Sequence, residues 1–543
     1  MEYPHHPAAA NSDAAMSSRG ACDRVLNVAF ALALATPGLW MLARGGSPAI
    51  LEAENRTAAP LPERPHDWKS AVDYPAAFSA WWDEALGGRD ELLRARSMLE
   101  WFVFQRSPAT LFLRGKREWV FFTGDDSRAC WRGLRTLPEK RLDAWCRALE
   151  ARRDALRSIG IEFLYAIVPS KQTIYPEYLP DSDTRSGSTP LEQLLPWLAA
   201  HCDAPVLDLR QALLDEKAHD RPEIGDFAFH RLGTHWSSRG AWAAVRAIVE
   251  KLAERFPKMR PPERSEYECI LRPEPDQDDQ MPVRLRLEGC ISEPSYEFAP
   301  KAGARARITQ SAGGSPPHFM EFECDREGGE VMFLDHDSFG PEFRPHLAEH
   351  ASRLVAVWRY SLPVEEIVLA HPRIVVQALT ERFLINDPIG AGVIALPLER
   401  SRFDALPPFR KDLDAAAMLR AIEPRGGTKT RLEDSDGTTD LWIRTEGEEC
   451  VALPEFAVPA GMRLALRVVL TSPKRGAMSL WFRHRGDGRY DHQNRAAVEV
   501  REGLDDVCFV IPVDDLVGRL LLRPGMEPGA YRLHALEARL IRK

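Results

Sequence analysis

The stretch "PEKRLDAWCRALEARRDALRSIGIEFLYAIVPS", residues 138–170, decides the fold. Its first part repeats apolar residues at three- and four-residue spacing, the period of an amphipathic helix, and Gly160 stands where such a helix stops. From Ile161 to Ser170 the chain runs apolar and closes on a proline, as a buried parallel strand does. The alternation continues outward. "TPLEQLLPWLAAHC" (189–202) reads as helix, "APVLDLRQALL" (204–214) as strand then helix start, and "RGAWAAVRAIVEKLAERF" (239–256) as helix. It resumes in "GEVMFLDHDSFG" (329–340), "FRPHLAEHASRLVAVW" (343–358) and "VEEIVLAHPRIVVQALTERFL" (364–384). Strand–helix repetition of this kind predicts an α/β domain with a parallel sheet covered by helices on both faces.

Two stretches differ. Pro261 to Glu330 has no helical period and many Pro and Gly, and reads as a β-rich insertion. From Thr430 onward short runs such as "LWIRTEG", "MRLALRVVLTS" and "AMSLWFRHRG" alternate with turn residues, which predicts a C-terminal β-sandwich. Between them, 391–427 reads as a linker with one short helix near "DLDAAAMLRAI".

The 543 residues exceed what one core holds. A net charge of -9 without a long basic run argues against nucleic acid as a partner. Nine cysteines form no CxxC pair, so neither a zinc site nor a disulfide framework is signalled, and one or two disulfides stay open for an exported chain. No metal ligand set and no cofactor site is expected. "VLNVAFALALATPGLWMLA" (Val25–Ala43) carries no charge over 19 residues, which suits a single membrane-spanning anchor behind a cytoplasmic tail (1–24). A cleaved signal peptide is the rival, with Ala33-Leu34-Ala35 as the cleavage site. A tether (44–74) then leads into the α/β domain (75–390) and, past the linker, the sandwich (428–543).

Reactive residues of open parallel sheets sit in loops at the carboxyl ends of strands. In "VMFLDHDSFG" Ser338 lies in such a loop, close to a helix start whose unpaired N–H groups can stabilise an oxyanion. Serine needs a neighbouring base, and His235 in "HRLGTHWSSRGAW" (230–242) is the candidate. A plain N-cap at "DS" and a packed histidine are the bland alternatives. His346 and His350 stand at i, i+4 without an HExxH motif and read as helix surface.

"YAIVPSKQTIYPEYLP" (165–180), "GTHWSSRGAW" (233–242) and "DHDSFGPEFRPHLAEH" (335–350) resemble, in the same order, motifs of the alginate O-acetyltransferase family, the AlgX/AlgJ-like SGNH-hydrolase-like domains. The resemblance covers about residues 75–385. It implies a flavodoxin-like SGNH fold with Ser338 as nucleophile and His235 as general base. It further implies a periplasmic protein that moves acetyl groups onto hydroxyls of an exported polysaccharide, with a membrane-bound acyltransferase delivering the acetyl group. The inner membrane would hold the chain through its N-terminal helix. One position departs from the family. The triad aspartate lies two residues before the histidine, where this chain has Gly233, and Asp226 nine residues upstream is the candidate substitute. An enzyme of weakened activity and an inactive polysaccharide-binding or assembly protein of the same fold therefore both remain readings, with a small-molecule esterase as a third. In the sandwich, Trp442, Trp481, Arg483 and Tyr490 are types that stack on and hydrogen-bond sugars, and equally types that fill a core.

Overall fold

The computed structural model describes residues 24–32, 35–36, 39, 50–51, 56–57 and 59–542, except 86–88, 273–280, 389–392, 411–413, 436, 448, 485–489, 491–493 and 515. The chain divides into two units, residues 1–120 with 280–292, and residues 121–279 with 293–543.

In the first unit, helices Trp68–Ala85 and Arg89–Met98 precede a π-helical turn, Leu99–Val103. Arg286 donates to Asp90 at 2.7 Å and Arg94 pairs with Glu288 at 3.6 Å, tying the 280–292 segment to the second helix. Residues 24–32 are helical. The rest of the expected anchor lies largely outside the described residues, as does the 1–23 tail. Among the described residues no helix is long and apolar enough to cross a membrane, so the expected membrane helix is not seen.

The second unit holds the α/β domain. Helix α1 (Glu139–Ser158) buries Trp145, Leu149, Arg152 and Leu156 on one face. It stops because Gly160 takes φ +79°, which lets its N–H reach Arg157 O at 2.9 Å and the Ile161 N–H reach Leu156 O at 3.0 Å. Strand β1 (Glu162–Val168) follows, then α2 (Pro190–His201), β2 (Val206–Asp208) and α3 (Ser238–Ala253). Next come β3 (Arg307–Ala312), β4 (Phe319–Glu323), β5 (Glu330–His336), α4 (Gly340–Ala348), β6 (Ala351–Trp358), α5 (Val364–Ala370) and β7 (Ile374–Thr380).

These strands form one seven-stranded sheet in the order β2-β1-β7-β5-β6-β4-β3. The first five are mutually parallel, and β4 and β3 add an antiparallel edge. The expected insertion at 261–330 is therefore only partly separate, since its last two strands extend the main sheet. Among the described strands of this stretch, Tyr267–Leu271 and Tyr296–Pro300 stand apart from that sheet as an antiparallel pair, and residues 280–292 belong to the first unit. All seven residues of β7 are buried, as a central parallel strand requires.

The C-terminal region is a sandwich of two six-stranded sheets. Its strands are β8 (Val393–Ile394), β9 (Leu396–Pro397), β10 (Glu423–Pro424), β11 (Lys429–Ser435), β12 (Thr438–Thr445), β13 (Val451–Ala457) and β14 (Met462–Ser472). They continue with β15 (Gly476–His484), β16 (Arg495–Val500), β17 (Gly503–Ile511), β18 (Leu516–Arg523) and β19 (Gly529–Arg542). One sheet runs β8-β16-β15-β18-β13-β10 and the other β9-β17-β14-β19-β12-β11. The stretch expected as a linker thus contributes β8, β9 and β10 to the sandwich. Two-residue strands carry too little pattern to be read from sequence.

The sandwich packs on the α/β domain through α5. The buried Glu365 carboxylate accepts from Ser479 Oγ at 2.9 Å and pairs with Arg495 at 3.0 Å. Ala497 of β16 joins the same apolar cluster as Val364 and Ile367.

Candidate active site

Strand β5 ends at His336, and the turn after it presents Ser338 half-exposed. Asp337 builds that turn. Its buried carboxylate accepts the Phe339 N–H at 3.0 Å and the Thr380 N–H at 2.8 Å, and also holds the Thr380 hydroxyl at the end of β7. Asp337 O accepts the Gly340 N–H at 3.0 Å. The Phe339 and Gly340 N–H groups at the start of α4 are thus committed to Asp337, and Pro341 has none. Nor is Ser338 the helix cap, which is Phe339 without a side-chain bond. Gly340 is required, because a Cβ there would overlap the His336 ring.

His235 arrives from the loop before α3. Its Nε2 lies 3.0 Å from Ser338 Oγ. Its neighbours hold the two loops in register. Trp236 Nε1 donates to Phe339 O at 3.0 Å, Trp236 stacks on Phe343 at 5.7 Å, and the His235 ring meets Phe339 edge-on at 4.8 Å. Ser237 caps α3, accepting from the Gly240 N–H at 3.3 Å. Gly240 lets the helix approach Ala228 O, where a Cβ would clash.

Asp226, the expected substitute for the missing aspartate, serves two arginines instead. Its Oδ2 accepts from Arg221 Nε at 2.9 Å and its Oδ1 from Arg239 Nε at 3.3 Å. Buried Arg239 also binds Glu216 at 2.6 Å and Asp220 at 2.8 Å. The network fixes the loop rather than the imidazole.

Gly233 itself is gripped from both sides. The buried Lys171 ammonium donates to Arg231 O at 2.8 Å and Gly233 O at 2.9 Å. Glu293 accepts the N–H groups of Arg231 at 2.7 Å, Leu232 at 3.0 Å and Gly233 at 3.3 Å. Tyr175 donates to Asp220 at 2.8 Å and accepts the Ala228 N–H at 3.0 Å. Burial first, then the Asp220 carboxylate, raises the Tyr175 phenol far above its ordinary range.

Beneath the turn, Arg152 donates to Gln377 at 2.7 Å and Gln377 to Asp335 at 2.6 Å. Burial raises Asp335 well above the usual carboxylate range.

Residues 112–287 match the family described as "SGNH hydrolase-like domain, acetyltransferase AlgX". That span contains His235 and ends before Ser338. The chain carries an AlgX/AlgJ-like SGNH domain. A probable alginate O-acetylase AlgJ of Pseudomonas fluorescens is 28% identical over 192 residues, 35% of this chain and 43% of that protein. The chain therefore spans less than half the length of this curated relative. The O-acetyltransferase domain of Pseudomonas putida AlgJ is 16% identical, over 50% of this chain and 92% of that one, with a TM-score of 0.35. Pseudomonas aeruginosa AlgX is 14% identical, over 80% and 94%, with a TM-score of 0.38.

Of the residues singled out in the SGNH domain, the structure brings Ser338 and His235 together and takes Asp226 away. Sequence reading missed Lys171, Tyr175 and Glu293. Lys171 and Tyr175 stand in the 165–180 motif, whose letters alone give them no role. Glu293 carries no signal, being 58 residues beyond His235. His346 and His350, expected on the helix surface, are buried. In the sandwich, Trp442 lies on β12 of one sheet while Trp481 and Arg483 lie on β15 of the other, so these residues form no single surface.

Proposed function

We propose that the SGNH domain is an O-acetyltransferase, or acetyl esterase, acting on hydroxyls of an exopolysaccharide such as alginate through an acetyl-Ser338 intermediate. The observation that carries this reading is the 3.0 Å approach of Ser338 Oγ to His235 Nε2. His235 takes the Ser338 proton as Oγ attacks the acetyl carbonyl, and the Ser338 N–H meets the oxyanion. His235 then passes the proton to the leaving group. A sugar hydroxyl next gives its proton to His235 and attacks acetyl-Ser338, which leaves the ester on the polymer and returns the proton to Oγ. Water in place of the sugar gives the esterase outcome. The acetyl group comes from a membrane-bound acyltransferase, and the work is done on the export side of the inner membrane. Glycine stands where the family has the aspartate that orients the imidazole; in a serine protease, changing that aspartate to asparagine costs about 10⁴-fold in turnover.

The test is covalent labelling with an aryl methylphosphonate probe, whose phosphorus bonds to Ser338 Oγ as the aryloxide leaves. The parent protein is expected to carry one adduct, on Ser338. Ser338→Ala is expected to abolish both the adduct and acetyl-ester turnover. The thermal midpoint should stay in place, since the hydroxyl sits in a half-exposed turn and bonds to His235. A folded parent that never labels at Ser338 refutes the assignment.

A second reading, an inactive polysaccharide-binding or assembly protein, is favoured by Gly233 together with the commitment of Asp226 to arginines. A polar row on the sandwich suits that role. Arg532 lies 5.1 Å over the Trp442 ring, Asp440 binds Arg532 and His534, and His534 reaches Thr471 at 2.8 Å. Polymer retention that Trp442→Ala removes, without any labelling of Ser338, would support this second reading.

A further inference from the structure

Helices α1 and α2 bring two cysteines together outside the Ser338–His235 site. Cys146 lies on α1 and Cys202 caps the end of α2. Each thiol points at the backbone beside the other, Cys146 Sγ to His201 O at 3.1 Å and Cys202 Sγ to Cys146 O at 3.9 Å. The two sulfurs and a Glu150 carboxylate oxygen all lie within 4.8 Å of one another. Glu150 is occupied, accepting the Asp203 N–H at 3.1 Å, and so pins the chain after Cys202 to α1.

We infer that Cys146 and Cys202 are a disulfide site, closed by thiol–disulfide exchange with a small-molecule or protein disulfide. The half-buried Cys202 is the sulfur an oxidant reaches, and Cys146 is buried. Cys202 attacks the donor disulfide and releases one donor thiol. Cys146 then displaces the second. One S–S bond forms, two thiol protons leave, and two electrons reduce the donor to two thiols. Burial, with Cys202 beside it, pushes the Cys146 thiol up to about 12, which suits the resolving sulfur better than the attacking one. Metal chelation is the other chemistry these groups offer, but only three ligands gather here among the described residues and the carboxylate is already engaged. The bridge would close the loop that carries Lys171 and Tyr175, and so brace the segment gripping the histidine loop. It does not depend on the acetyl-transfer reading.

The full-length chain, incubated with oxidised glutathione, alkylated and digested with trypsin, is expected to yield peptide 142–147 joined to peptide 186–210. The joined mass should be about 2 Da below the sum of the thiol forms, for the two hydrogens lost. The oxidised protein should melt roughly 5 °C or more above the reduced one, a gain that Cys202→Ser removes. Cys146→Ala provides a second variant should Cys202→Ser fold poorly. A glutathione adduct on Cys202 with Cys146 still alkylated overturns the inference. So does one equivalent of zinc that survives dialysis and is lost in Cys202→Ser.

Discussion

At the scale of the residue, Gly233 is where this site departs from a full triad. An aspartate there would orient His235 and stabilise its charged form. The Lys171 ammonium favours an incoming carboxylate and Glu293 opposes it, each already bonded to the Gly233 backbone. Gly233→Asp is expected to raise turnover on a model acetyl ester by roughly tenfold, about 1.4 kcal/mol off the barrier. A variant of parental thermal midpoint with no gain in rate would show that the missing aspartate is not what limits the site.

Two buried histidines make a separate residue-level prediction. Burial lowers His336 and His346 from 6.5 to about 4. The unfolded chain takes up these protons near pH 6.5 and the folded chain only near pH 4. Their contribution to stability is therefore whole above pH 6.5 and is lost as pH falls toward 4. At pH 5 the loss is on the order of 2 kcal/mol per histidine. Buried Asp335 and Glu381, and half-buried Glu366, whose acids are raised, act in the opposite sense. The histidine effect is thus read by difference, and urea unfolding of His346→Gln should lose less stability between pH 7.5 and pH 5 than the parent does.

At the scale of the element, the loop before α3 has no regular ladder to hold it. Its backbone groups are satisfied by side chains from distant segments, Lys171 on the carbonyls and Glu293 on the N–H groups. Lys171→Met keeps the aliphatic stem and leaves two carbonyls without this donor. A stability loss of about 2 kcal/mol is expected in denaturant melts. Labelling of Ser338 should slow by more than that loss explains at denaturant-free conditions, because the imidazole is no longer held at its distance. Labelling at the parental rate would mean that Lys171 holds the fold and not the histidine.

At the scale of the whole second unit, Glu365 is the polar centre of the packing between the α/β domain and the sandwich. Removing it strands the Arg495 guanidinium, whose side chain is 14% exposed. Glu365→Ala is expected to cost about 3 kcal/mol or more. Calorimetry should then resolve separate transitions for the two parts, where the parent is expected to show one. A variant that still melts in one unshifted transition would locate the coupling in the apolar contacts around Ala497 instead.

The sequence by itself determined the α/β class, the long helices and the buried strands, because period and turn residues are local properties. Gly160 ending α1 is the plainest instance. It also drew attention to Ser338 and His235, since each lies in a loop beside a helix start. Tertiary structure alone decided what surrounds them. Asp226 sits nine residues from His235 in sequence yet points to Arg221 and Arg239. Glu293 is remote in sequence and grips the histidine loop. The strands at 307–312 and 319–323 joined the main sheet and not a separate insertion, and two-residue strands joined the sandwich. In each case the reason is the same. Hydrogen bonds and ion pairs between distant segments are set by where the packed core places the backbone, and no periodicity in the chain records that placement.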